Sequence, residues 1–266
     1  LLNPKAKKVN LPFNFDFKLD VALNKVRLDD EFIVKNFNGI LKYKNKNFVK
    51  ANLDGVFEKK GQINLRIDSF NNEKTITLFS DYAKPFIKRY KFIKGFDDGS
   101  LDFYSSSLNK KTNSTIKIYN FKLNELSVLA KLLTLASLQG IADLLTGEGI
   151  RFNELEMNFN TKGSLTTINE LYAIGPSISI LMDGYVEKNK LVSLRGTLVP
   201  ATTINKAIGS IPILGNILVG KKTGEGVFGV SFKIKGPPKK LETSVNPIKT
   251  LTPRFITRTL EKIKKN

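Results

Sequence analysis

The sequence predicts a mainly β protein, an antiparallel meander interrupted by a few capping helices. Apolar and polar residues alternate with a period of two over most of the chain, as strands with one buried face require. Short turn signals separate these runs, and short connections join antiparallel neighbours. Three helical stretches interrupt the strands.

In chain order, Phe13, Phe15, Phe17, Leu19 and Val21 alternate with Asn14, Asp16, Lys18 and Asp20. A hairpin signal at Glu58-Lys59-Lys60-Gly61 leads into Ile63, Leu65 and Ile67, which alternate with Asn64, Arg66 and Asp68. Residues 85–94 predict a short helix with Phe86, Ile87, Tyr90 and Ile93 on one face and Gly95 as its stop. Asp97-Asp98-Gly99 reads as a turn. A longer helix is expected near 125–146, with Asn124 as N-cap, Leu123 and Val128 as a hydrophobic staple and Gly147 just past its end. Its polar residues Ser127, Lys131, Thr134 and Ser137 form a narrow stripe. Such a helix is long enough to span a bilayer. Lys131, Gln139 and Asp143 make insertion costly, roughly 2.5–3.5 kcal/mol for a central charge. It is therefore read as covering the end or mouth of a sheet.

Thr161-Lys162-Gly163 and Glu187-Lys188-Asn189 are turn signals around a strand that carries Ile178, Ile180 and Met182. Phe228, Val230, Phe232 and Ile234 give the clearest late alternation, ended by Gly236-Pro237-Pro238. A basic amphipathic helix follows, with Thr252 as N-cap and Pro253 at its first position. Phe255, Ile256, Leu260 and Ile263 face one way, and Arg254, Arg258, Lys262 and Lys265 the other. Asp54 to Lys60 also resembles Asp183 to Asn189, which suggests a repeated hairpin unit stacked along the sheet.

The 266 residues include no Cys, no His and only scattered carboxylates, so thiol nucleophiles, His-based triads and imidazole acid–base work are unavailable. The chain is read as non-enzymatic, with no metal and no cofactor. Gly147-Glu148-Gly149 and Gly224-Glu225-Gly226 lack phosphate-loop spacing, and each Glu would repel an anion. The net charge of +19 is uneven: residues 201–266 hold 13 Lys/Arg against 3 Asp/Glu, more than half of the excess. That quarter calls for an anionic partner. It contains an apolar hairpin at 201–219, where Ile204, Ile208, Ile211, Leu214 and Leu218 recur near helical spacing before Lys221 and Lys222. Such a segment suits a membrane interface, as does the basic helix with Arg254, Arg258 and Lys262. An end cap packed as ordinary core is the equally plain alternative for the hairpin, and a solvated end helix for the basic one. Nucleic acid is disfavoured, because Phe13, Phe15 and Phe17 occupy the apolar phase, opposite the lysines, and Arg is scarce. A lipid-facing barrel sits poorly with the capped helices and the polar strand phase.

Seven strings carry a family resemblance. They are the helix-like Leu129 to Leu138, Gly147 to Phe152, Leu194 to Pro200, Ile211 to Gly215, Gly224 to Val230, Gly236-Pro237-Pro238 and Ser244 to Pro247. In that order and spacing the chain resembles the C-terminal region of the AsmA-like proteins of the Gram-negative envelope. Alternation alone does not separate an open sheet from a closed sandwich, which is the commoner solution. The resemblance implies the open form: a curled antiparallel sheet whose apolar phase lines a lipid-carrying groove. Residues 1–122 would then be groove repeat units, and 123–266 the family's C-terminal region. It also implies a periplasmic location, an inner-membrane anchor upstream, and a C-terminal end directed toward the outer membrane. The partners implied are phospholipid acyl chains and an anionic membrane surface. A structural or adhesive β-repeat protein of the envelope, with a closed core and no lipid, is the alternative.

Overall fold

The computed structural model describes residues 15–28, 31–58, 61–88, 95–124, 127–135, 148–200, 229–238 and 240–248. The strands are β1 (Phe17–Arg27), β2 (Ile33–Lys44), β3 (Asn47–Phe57), β4 (Gln62–Phe70), β5 (Glu73–Ser80), β6 (Phe96–Leu108) and β7 (Lys111–Leu123). They continue as β8 (Ile150–Lys162), β9 (Leu165–Ile174), β10 (Ile178–Glu187), β11 (Leu191–Pro200), β12 (Gly229–Gly236) and β13 (Glu242–Ile248). All 13 lie in one sheet in chain order, each antiparallel to the next, and the sheet does not close: β1 and β13 each have one partner. Two short helices, α1 (Lys84–Ile87) and α2 (Ser127–Leu135), follow β5 and β7. No helix among the described residues is long and apolar enough to cross a membrane.

The two ends of the sheet are built differently. At one end, β2–β3, β4–β5 and β6–β7 are joined by Asn45-Lys46, Asn71-Asn72 and Asn109-Lys110, with φ near +50 to +65° at both residues of each pair. That is the geometry of a two-residue turn whose twist matches the flanking strands, and Asn tolerates it better than most residues. The opposite end carries the longer connections, including those that hold α1 and α2.

Two local expectations are corrected. Asp97-Asp98-Gly99 is not a hairpin turn but an irregularity inside β6, with φ of +59° at Asp98 and +80° at Gly99. Asn120 on β7 has φ of +52°, and the pairing runs from Asp98–Phe121 to Ser100–Tyr119 across it. A Cβ on Gly99 would sit 2.9 Å from the Phe121 Cβ, so only glycine lets the strands approach there. The matched segments 54–60 and 183–189 turn at opposite ends of the sheet, since they lie on β3 and β10, an odd number of strands apart. They are similar hairpins, not a unit that stacks by translation.

The helices agree with their predicted faces where described. In α2, Leu129, Leu132 and Leu133 are buried while Lys131 and Thr134 are exposed. Asn124, expected as the N-cap, packs its side chain against Gly149, and its Oδ1 is buried without a hydrogen-bond partner among the described residues. In α1, Pro85 and Ile87 are buried. The rest of the segments expected at 85–94 and 125–146, and all of the basic C-terminal helix, lie outside the described residues. β7 pairs with β8 over almost its whole length, so the expected boundary at 122/123 falls within one continuous sheet.

Candidate functional site

Cross-strand partners in an antiparallel pair share a face, so the register can be followed across the sheet. Starting at β1, Val21 pairs with Gly39, Gly39 with Leu53, Leu53 with Leu65, Leu65 with Leu78 and Leu78 with Phe103. The row continues through Ile116, Met157, Leu171, Met182, Gly196 and Phe232 to Val245 on β13. Every position in this unbroken row of 13 is apolar or glycine.

The adjacent phase gives the opposite face. Its row reads Ala22, Asn38, Asp54, Asn64, Phe79, Asp102 and Lys117, then Glu156, Tyr172, Leu181, Thr197, Ser231 and Asn246. Polar groups there satisfy one another. Asn64 donates to Asp54, Thr115 Oγ1 to Asn158 Oδ1 at 2.7 Å, and Arg195 Nε to Asp183 Oδ1 at 2.9 Å. Lys117 pairs with Glu156 at 3.4 Å. One face thus offers hydrocarbon and the other hydrogen-bonding groups, which are termed below the Leu65 face and the Asn64 face.

The residues expected to line a groove fall together on the Leu65 face where they are described. Ile63, Leu65 and Ile67 alternate on β4, Ile178, Ile180 and Met182 on β10, and Val230, Phe232 and Ile234 on β12. Phe17 stacks on Tyr43 with ring centroids 5.0 Å apart, and Phe15 meets Phe17 edge-on at 6.0 Å. Phe13 and Phe228 lie outside the described residues. So does the whole membrane-contact set of Ile204, Ile208, Ile211, Leu214, Leu218, Lys221, Lys222, Arg254, Arg258 and Lys262.

Burial along this face is graded. At β1, Leu19 and Leu23 are 48% and 50% exposed. The middle row through Leu65, Leu78, Phe103, Ile116 and Met157 is half-buried. Toward the end bearing the long connections, Leu198 and Val230 are fully buried. There Phe96, Phe121 and Phe152 stack nearly parallel, with centroids 5.4 and 5.2 Å apart. Leu129, Leu132 and Leu133 of α2 and Ile87 of α1 join the same apolar cluster. α2 leaves β7 yet packs against β13, six strands away.

Several residues of this face were not singled out from the sequence: Leu53, Leu78, Phe103, Ile116 and Leu171. On β6 and β7 the signal is broken because Ser105 and Ser114 take the buried phase, bonded Oγ to Oγ at 3.2 Å. Alternation does mark Phe103 and Ile116, but the run Ser105-Ser106-Ser107 reads locally as a loop. An open hollow of about 540 Å³ lies near the tight turns, lined by polar residues that include Glu73, Ser106, Asn113 and Lys162. Among the described residues, no three His, Cys, Asp or Glu side chains group as a metal site. Comparison with protein-family models, curated proteins and solved structures finds no match.

Proposed function

We propose that this chain is a non-enzymatic lipid carrier of the cell envelope, whose Leu65 face is the wall of a groove covered by phospholipid acyl chains. The observation that carries the reading is the row from Val21 to Val245, apolar across every strand of a sheet that does not close. An apolar face of that extent needs a covering layer, and among the described residues no second sheet supplies one. Leu19 and Leu23 remain half exposed. Hydrocarbon is a suitable cover, since each CH₂ removed from water contributes about 0.8 kcal/mol and the gain accumulates along a tail. A groove open along its length leaves the charged headgroup in water and avoids desolvating it. The packing of α2 from β7 onto β13 favours a curled sheet, because six strand spacings of about 4.8 Å would hold those strands about 29 Å apart in a flat one. Resemblance to the AsmA-like C-terminal region supports a periplasmic setting, an upstream inner-membrane anchor and an outer-membrane-facing C-terminal end. Residues 201–219 and the basic segment with Arg254, Arg258 and Lys262 would then meet an anionic bilayer.

A second reading is favoured by one observation. Ile178, Leu198 and Val230 are fully buried, so protein alone fills the core beneath the C-terminal strands. A structural envelope protein with no cargo would extend that closure along the whole sheet. The two readings separate in one experiment. Photoreactive side chains at Leu65 and Met182 are expected to capture phospholipid during expression, while those at Arg66 and Tyr104 on the other face capture none. Native mass spectrometry of the purified chain should show the same lipid. Absence of lipid at Leu65 and Met182 decides for the structural protein.

A further inference from the structure

In the four rows of the Leu65 face that can be followed across the described strands one residue is charged, and we propose that this residue, Lys74, with the hydroxyls beside it seats the phosphate of an anionic phospholipid headgroup. The inference rests on the lipid-carrying reading and goes beyond it by naming the class of lipid and the point of capture.

Four successive rows of this face can be followed across the sheet. They contain Ile63 to Pro247, Val21 to Val245, Leu19 to Thr243, and Ser69 to Gly236. Lys74 is the one charged residue in them, and it lies in the row nearest the tight turns. Its row continues through Ser107, Thr112, Thr161 and Thr166 before turning apolar at Val186. Ser107 Oγ and Thr112 Oγ1 are 2.8 Å apart, and Thr161 Oγ1 and Thr166 Oγ1 are 3.2 Å apart. Each such pair uses one O–H between its two oxygens and leaves the second O–H free to donate outward. An ammonium flanked by free hydroxyl donors matches the oxygens of a phosphate.

Two further properties fit an occupant that is absent from the free protein. The Lys74 ammonium makes no ion pair or hydrogen bond among the described residues. Burial pushes its ammonium below the ordinary lysine range, so a lysine partly withdrawn from water stands there without a counter-charge. An anion arriving at this place relieves that cost.

Position selects a lipid over free phosphate. Lys74 follows the Asn71-Asn72 turn by two residues, so a headgroup there stays at the wet rim. From that row to the Ile63 row is six residues along a strand, about 20 Å, over increasingly apolar side chains. The tails of one bilayer leaflet occupy about 15 Å, so a chain fixed at Lys74 fits along the strands toward α1 and α2.

The experiment compares the full chain with Lys74→Met and Lys74→Arg, each offered phosphatidylglycerol and phosphatidylcholine with identical tails. Native mass spectrometry and displacement of a fluorescent fatty-acyl probe read the binding. Wild type is expected to prefer the anionic lipid by about tenfold, the size of one hydrogen-bonded charge. Lys74→Met should lose the preference, with phosphatidylglycerol binding falling further than phosphatidylcholine binding because both carry the phosphate and the choline cation already offsets one of them, and Lys74→Arg should restore it. If wild type binds both lipids equally, or Lys74→Met keeps the preference, this inference is overturned and the lipid carrier stands. If wild type binds neither lipid, the carrier reading falls and the inference with it.

Discussion

Glycines at two positions of the Val21–Val245 row show how single residues shape this face. A Cβ on Gly196 would meet the Leu181 carbonyl and lie 2.8 Å from Cε1 of Phe232, so the ring of Phe232 rests where a side chain would otherwise stand. A larger residue must displace that ring. Gly196→Val is therefore expected to lower stability by about 1–3 kcal/mol, visible as a lower urea midpoint with an unchanged slope. At Gly39, φ of +138° and the Asn52 carbonyl both exclude a side chain. The phenylalanine stack works the other way, by filling space. Phe121 is 1% exposed between Phe96 and Phe152, and Phe121→Ala should cost about 3–5 kcal/mol by leaving a cavity. A thermal melt of that variant with no loss would mean that the stack is not a supporting element.

Among the elements, the tight turns carry removable strain. Lys46 and Lys110 occupy left-handed backbone at φ of +61° and +63°, where a Cβ is unfavourable and glycine is not. Lys46→Gly and Lys110→Gly should each raise stability by roughly 0.5–1 kcal/mol, read as an upward shift in denaturant midpoint. α1 is held differently. Lys84 Nζ donates to Asp97 Oδ1 at 2.9 Å, and this hydrogen bond, reinforced by the Asp97 charge, raises the lysine above its ordinary value of 10.5 against a smaller opposing effect of desolvation. A raised lysine stabilises the fold fully below that ordinary value and loses its contribution as pH climbs through the raised one. The stability difference between wild type and Lys84→Met should thus stay constant from pH 7 to 9, begin to fall near pH 10.5 and be lost as pH climbs through the raised value. Both groups are partly solvated, so it should remain below about 1 kcal/mol.

At the scale of the whole molecule, every strand pairs only with its neighbours in sequence, so the sheet is nearly one-dimensional. Stability in such an array is a sum over strands and interfaces, and it is lowest where burial is poorest. β1 has one partner and exposes Leu19 and Leu23, whereas β10 to β12 are flanked on both sides and keep Ile178, Leu198 and Val230 inaccessible. Hydrogen exchange should accordingly be fastest in β1 and slowest in β10 to β12. Uniform exchange through all strands would contradict this gradient. Burial also sets where lipid could sit: along the half-buried middle row from Leu65 on β4 to Met182 on β10, not over the filled positions of Ile178, Leu198 and Val230.

How much of this was legible follows from what a local pattern can encode. Period-two alternation determined that the chain is β, which phase of β4, β10 and β12 is apolar, and which face of α2 packs, because side-chain parity and helical spacing are properties of neighbouring residues. Leu65, Met182 and Phe232 could be assigned to an apolar phase in this way, one strand at a time. Only the tertiary structure decided that these separate phases meet in one row, since a slip of one residue in any strand would have turned its apolar side over. Register was set by the Asn turns and by the irregularity at Asp98, Gly99 and Asn120, whose left-handed backbone no periodicity reveals. The serines of β6 and β7 hid two strands by taking the apolar phase as hydrogen-bonded pairs. Lys74 was one lysine among many in the sequence. Its place on the Leu65 face exists only because Ser69 and Ser107 pair with it from strands on either side.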